Sequence, residues 1–120
     1  MDVVFTEQDG YLEAEIQDTT SFPELKRQLS EILKACTNRK PPKLLLNFTS
    51  LQGHWSTVDR FEIGEIGGQL APHVGRIAAL AREAMIDPKK FGVQVARNRG
   101  LTVDVFYDRE KALAWLLGPA

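Results

Sequence analysis

Arg76-Ile77-Ala78-Ala79-Leu80-Ala81, then a basic amphipathic segment, then Leu101-Thr102-Val103-Asp104-Val105-Phe106, then Asp108-Arg109-Glu110-Lys111-Ala112-Leu113-Ala114-Trp115-Leu116: this succession decides the fold. It reads as strand, helix, strand, helix. Parallel strands need crossovers of about a dozen residues or more, and a chain that alternates in this way builds an α/β layer structure. The segment between the strands is ambiguous on its own, because Phe91, Val93 and Val95 alternate as in a strand. The need for a crossover decides for a helix, with Asp87 as N-cap and Pro88 as its first residue.

Working toward the N-terminus, Lys43-Leu44-Leu45-Leu46-Asn47-Phe48 is a continuous apolar run launched by Pro41-Pro42, the pattern of a strand covered on both faces. Ser21-Phe22-Pro23-Glu24 is a capping box with an early proline, and Leu25, Leu29, Ile32, Leu33 and Cys36 recur at helical spacing to about Thr37. Before it, Val3–Thr6 and Tyr11–Ile16 flank Asp9-Gly10, a hairpin signal. Leu12, Ala14 and Ile16 alternate with Glu13, Glu15 and Gln17, which predicts one wet face. Ser56 with Asp59 caps a helix reaching about Leu70, weakened by Gly64, Gly67 and Gly68, each costing about 1 kcal/mol relative to alanine. Close helix-to-sheet packing or a partner surface is the expected compensation. The expectation is a single domain over 1–120, α/β, with a mixed, mostly parallel five-stranded sheet in the order β-β-α-β-α-β-α-β-α. Strand 43–48 should be central, bounded by strands 76–81 and 101–106.

Composition narrows the function. A hydrophobic fraction of 43%, 26% charged residues and net charge −1 are those of a soluble globular domain, without the basic excess of a nucleic-acid binder. Residues 1–18 hold six acids (Asp2, Glu7, Asp9, Glu13, Glu15, Asp18) and no Lys or Arg, while basic residues gather at 34–43 and 76–99. On different faces these would form a dipole able to steer a charged partner. No apolar run reaches the length of a membrane span, and the lone Cys36 cannot pair internally, so a cytoplasmic setting is expected. Cys36 lies on the apolar stripe of its helix, as a small buried hydrophobe would.

The elements together resemble the STAS superfamily, in particular its SpoIIAA-like branch of bacterial proteins. The resemblance runs from about Leu44 to Leu117. It is carried by Leu44-Leu45-Leu46-Asn47-Phe48-Thr49-Ser50-Leu51-Gln52-Gly53, by Arg76-Ile77-Ala78, and above all by Val103-Asp104-Val105-Phe106-Tyr107-Asp108 leading into Ala112-Leu113-Ala114-Trp115-Leu116. It implies the fold of anti-sigma-factor antagonists, which carry an Asp-Ser-Ser-Gly-like motif at the start of the second helix and are switched there by serine phosphorylation. Here that place holds His54-Trp55-Ser56-Thr57, without the acid or the glycine. Ser56 or Thr57 could take the phosphoryl group, adding about −2 charge at a helix N-terminus; alternatively Ser56 is simply an N-cap.

No constellation points to catalysis, to a cofactor or to a metal. His54 and His73 have no acid or cysteine at ligand spacing, and His54 sits in the same loop as Ser56 rather than on an opposing element. Two non-enzymatic readings follow. In the first, the domain is a regulatory protein-interaction module that binds a protein partner through loop 49–55 and the helix start, with His54, Trp55, Ser56 and Thr57 as the face. In the second, it carries or senses a small apolar or lipid-like ligand between helices and sheet, as the wider fold likeness to lipid-carrier domains allows. Trp55 serves either, as anchor or as lid, or folds back onto the domain. Trp115 belongs to the core, and homo-oligomerisation is left open.

Overall fold

The computed structural model describes residues 3–17 and 21–119. Asp2 and Asp18, two of the six acids of the N-terminal segment, lie outside the described residues. Strands β1 (Val4–Gln8) and β2 (Tyr11–Glu15) form the antiparallel hairpin. Its turn has Gly10 at φ +87°, a left-handed conformation that glycine adopts without penalty. After them come α1 (Phe22–Arg39), β3 (Lys43–Asn47), α2 (Thr57–Gly68), β4 (Arg76–Leu80), a 3-10 turn (Glu83–Met85), α3 (Phe91–Asn98), β5 (Val103–Phe106) and α4 (Arg109–Leu117). Among the described residues the protein is thus α/β, with a five-stranded, mostly parallel sheet and four helices.

Across the sheet the strands run in the order β1-β2-β3-β4-β5, with β2 through β5 parallel. β3 is central, and Leu44, Leu45 and Leu46 are all buried. Its neighbours, however, are β2 and β4, where the sequence reading put strands 76–81 and 101–106 on either side; β5 is the outer edge. The reason is topological. Each crossover advances the chain by one strand in the same direction, and right-handed crossovers that all step one way carry their helices on one face. Accordingly α1, α2 and α3 share a face. Leu25, Leu29, Ile32 and Cys36 of α1 pack there with Leu12, Ala14, Leu44, Leu46 and Ile77 of the strands. Among the described residues only α4, after the last strand, is left to cover the opposite face, with Ala112 and Leu116 on Leu45, Ala78 and Leu80.

That fourth helix overturns the wet face expected for β2. Glu13 is only 8% exposed. Arg109, at the start of α4, donates to both its carboxylate oxygens at 2.9 Å, and Asn47 Nδ2 donates to Oε2 at 3.1 Å. At the other end of α4, Trp115 is half-buried rather than fully enclosed, its ring against Phe106 and under the Arg76 guanidinium. The acidic hairpin and the first basic cluster also adjoin instead of facing apart: Glu7, Arg39 and Lys43 line one groove, and Arg39 lies over the Phe5 ring. At that groove acidic and basic side chains share one surface rather than two opposed ones. Among the described residues no helix is long and apolar enough to cross a membrane.

A cavity between sheet and helices

The carboxyl ends of β3 and β4 give rise to two segments that close over the sheet. Asn47 organises the first: its Oδ1 accepts from Thr49 N at 2.9 Å and from Thr49 Oγ1 at 2.6 Å, turning the chain back over the strand end. Leu51 N then donates to Phe48 O, and Gly53 takes φ +87°. Two arginines fasten this loop to the segment after β4. Arg82 Nη2 donates to Leu51 O. Arg60, on α2, donates through Nε to Trp55 O at 3.3 Å and through Nη1 to Met85 O at 3.1 Å.

Beside these segments lies a half-open cavity of about 160 Å³. The sheet supplies Leu46, Ile77, Ala79, Val103 and Val105 as its floor, α2 and α3 supply Ile63, Ile66, Val93 and Ala96 as its roof, and Leu51, Trp55 and Met85 also line it. Arg60, Asp87 and Lys90 are the charged residues of its lining. Lys90 Nζ is held by Asp104 at 2.9 Å. The Asp87 carboxylate accepts from Phe91 N and Lys89 N, and those bonds hold it below the usual carboxylate range.

Glycines shape the roof. A Cβ on Gly64 would stand 2.5 Å from Gly92 O and 2.8 Å from Val95 Cβ, and one on Gly92 would stand 3.0 Å from Arg60 O. α2 and α3 therefore touch backbone to backbone, and the compensation for the glycines is helix-to-helix packing, not helix-to-sheet packing. Gly67 differs, since a Cβ there would meet only Ala96 and Leu101 at ordinary contact distances of 3.8 and 4.0 Å. The segment before α3 also departs from the sequence reading. Asp87 and Pro88 form a turn ahead of the helix, Lys90 adopts φ 50°, and the helix begins at Phe91. Asp87 still accepts from Phe91 N, so the capping chemistry is kept while the helix starts a turn later.

The four residues of the expected binding face separate. His54 and Thr57 are exposed. Ser56 is the N-cap of α2: its Oγ accepts from Asp59 N at 3.1 Å, and the Asp59 carboxylate accepts from Ser56 N at 3.0 Å. Trp55 turns inward, only 5% exposed, with its ring edge-on to Phe22 at 6.5 Å. Its indole Nε1 is buried without a hydrogen-bond partner. The loop thus contributes its aromatic group to the cavity wall, not to the outer surface. Elsewhere, Cys36 is fully buried, and burial pushes its thiol up to about 11. Among the described residues no three of His, Cys, Asp and Glu gather as a metal site.

Sequence reasoning missed Arg60, Met85 and Val93, which matter only because distant segments meet. The glycines of α2 were the one signal that something unusual lay under that helix. Compared with known proteins, the chain matches no family model and no curated sequence.

Proposed function

We propose that this chain is a STAS-like, non-catalytic binding module that holds a small apolar molecule, or the apolar part of one, between the α2–α3 pair and the sheet. The observation that carries the reading is the cavity, walled almost entirely by hydrocarbon and comparable in size to the engineered cavity of about 150 Å³ that takes up benzene. A packed core has few voids larger than a water molecule, and this one extends to residues that follow the carboxyl ends of β3 and β4, Phe48 and Ala81 among them. Loop 48–55 lies over those ends with Leu51 and Trp55 inward and His54 outward, so occupancy of the cavity and the state of the outer surface are joined through one short segment. That connection supports a regulatory use of the kind the STAS resemblance implies, with a protein partner reading the surface of His54 and Thr57.

The test is a titration with toluene, followed through the Trp55 indole N–H resonance. The wild type should show a saturable shift. Gly67→Leu, which places an isobutyl group against Ala96 and Leu101, should abolish it while the protein stays folded. A wild-type resonance that toluene leaves unmoved would remove the basis for the reading.

A further inference from the structure

We propose that β1 docks against β1 of a second copy of this chain, antiparallel about a two-fold axis at Thr6, so that Glu7 of each copy meets Arg39 of the other. The two edges of the sheet differ. On β5, Val103 O accepts from Arg97 Nε and Val105 N donates to Asp104 Oδ1, so side chains of the domain itself occupy that edge. β1 has no such cover. Ile16 N donates to Asn47 O, which turns the even-numbered residues of β2 toward β3, and Tyr11, Glu13 and Glu15 toward β1. Their register partners are Gln8, Thr6 and Val4, so Phe5 and Glu7 direct their N–H and C=O groups outward. Among the described residues nothing bonds to those outward groups. The strand also lacks the devices that blunt an edge: it has no lysine and no proline, and its one-to-one register with β2 contains no bulge.

Charge selects the occupant and its register. Outward groups must face outward groups, and the alignments that pair Phe5 and Glu7 among themselves are centred on Phe5, on Thr6 or on Glu7. Arg39 lies over the Phe5 ring at 5.6 Å, so centring on Phe5 sets two guanidinium groups side by side. Centring on Glu7 opposes two carboxylates directly, which is destabilising. Centring on Thr6 pairs unlike charges. Phe5 then faces Glu7 of the second copy, each such pair exchanges both backbone hydrogen bonds, and symmetry makes the pair twice. Directly opposed side chains share a face of the sheet, so the incoming carboxylate arrives on the side where Arg39 covers Phe5. Glu7 and Arg39 are both exposed, and neither has an ion pair among the described residues. The edge lies clear of the cavity lining.

Sedimentation equilibrium of the wild type between about 1 μM and 1 mM should show a reversible dimer. Glu7→Arg and Arg39→Glu each turn both contacts from attraction to repulsion and should weaken that dimer by about tenfold or more. Mixed in equal amounts, the two variants should associate with each other at close to the wild-type strength, because each offers the other an opposite charge at both contacts. A pair confined to one chain would give no such rescue. Thermal unfolding of each variant checks that it is folded when it is mixed. In the wild type, hydrogen exchange at the Phe5 and Glu7 amides should slow as protein concentration rises, while the Thr6 and Gln8 amides, already turned toward β2, should change little. A monomer throughout the range would overturn the proposal. So would variants whose mixture associates no more tightly than either alone, or Phe5 and Glu7 amides indifferent to concentration.

Discussion

Glu13 shows how one carboxylate on a nominally outward strand position becomes structural. Arg109, its strongest partner, and Asn47 hold its pKa below the ordinary 4.5 against the opposing effect of burial. A depressed folded-state pKa means that the contribution to stability is complete above about pH 4.5 and is lost as pH falls through the lower, folded value. Removing Arg109 takes away the main lowering influence and leaves burial opposed only by the Asn47 hydrogen bond. Arg109→Met should therefore cost about 1–2 kcal/mol at neutral pH, discounted because the guanidinium is nearly half exposed, and should move the acid-unfolding midpoint upward. Glu13→Gln/Arg109→Met should lose less than the two single changes together. An acid midpoint identical in wild type and Arg109→Met would show that Glu13 is held by other means. The pairing was hidden from sequence reading, because it joins residues 96 positions apart and only the placement of α4 brings them together.

At the scale of elements, legibility followed locality. α1 was readable because its cap and its stripe are contiguous: Ser21 accepts from Glu24 N, proline stands in the first turn, and Leu25, Leu29, Ile32 and Cys36 all point into one core. α2 announced its start through the Ser56–Asp59 capping box, but not what its glycines met. Those contacts lie on α3 and the residues just after it, about thirty residues away, and they are of two kinds within three residues. Gly64→Ala would push a methyl group to 2.5 Å from the Gly92 carbonyl, a backbone atom that cannot swing aside, and should destabilise the domain by about 2 kcal/mol. Gly67→Ala has room and gains helix propensity, so it should stabilise by about 0.5–1 kcal/mol. Chemical denaturation of the two variants should thus give midpoints on opposite sides of the wild type. Midpoints that move together would mean that the two helices do not meet at Gly64. The size of the cavity was illegible for the same reason, since volume is set by how closely distant backbones approach.

For the molecule as a whole, the two faces of the sheet are held differently, and the difference predicts where it opens. α4 is fixed at both ends, by Arg109 on Glu13 and by Arg76, whose Nη1 donates to Trp115 O at 2.7 Å, with a closed patch of Leu45, Ala78, Leu80, Ala112 and Leu116 between. The α2–α3 pair spans a void. α3 is tied to β5 through Arg97 Nε to Val103 O and Lys90 to Asp104, whereas α2 rests on α3, packs Ile63 and Ile66 against the core, holds the flanking segments through Arg60 and reaches α1 through the exposed Lys26–Glu62 pair at 3.6 Å. Apolar atoms that line a void lack partners on one side, so this roof gains less from dispersion than the α4 face does. Local opening draws on the least stable cooperative unit, and an entry route for a ligand must be of that kind. Native-state hydrogen exchange should therefore find α2 and α3 opening together at a lower free energy than α4 and the β3–β4 pair. Saturating toluene should raise protection in α2, α3 and loop 48–55 and leave α4 nearly unchanged, because a ligand stabilises only the opening that releases it. If α4 opened first, or if protection rose uniformly across both faces, the cavity would not be the entry route.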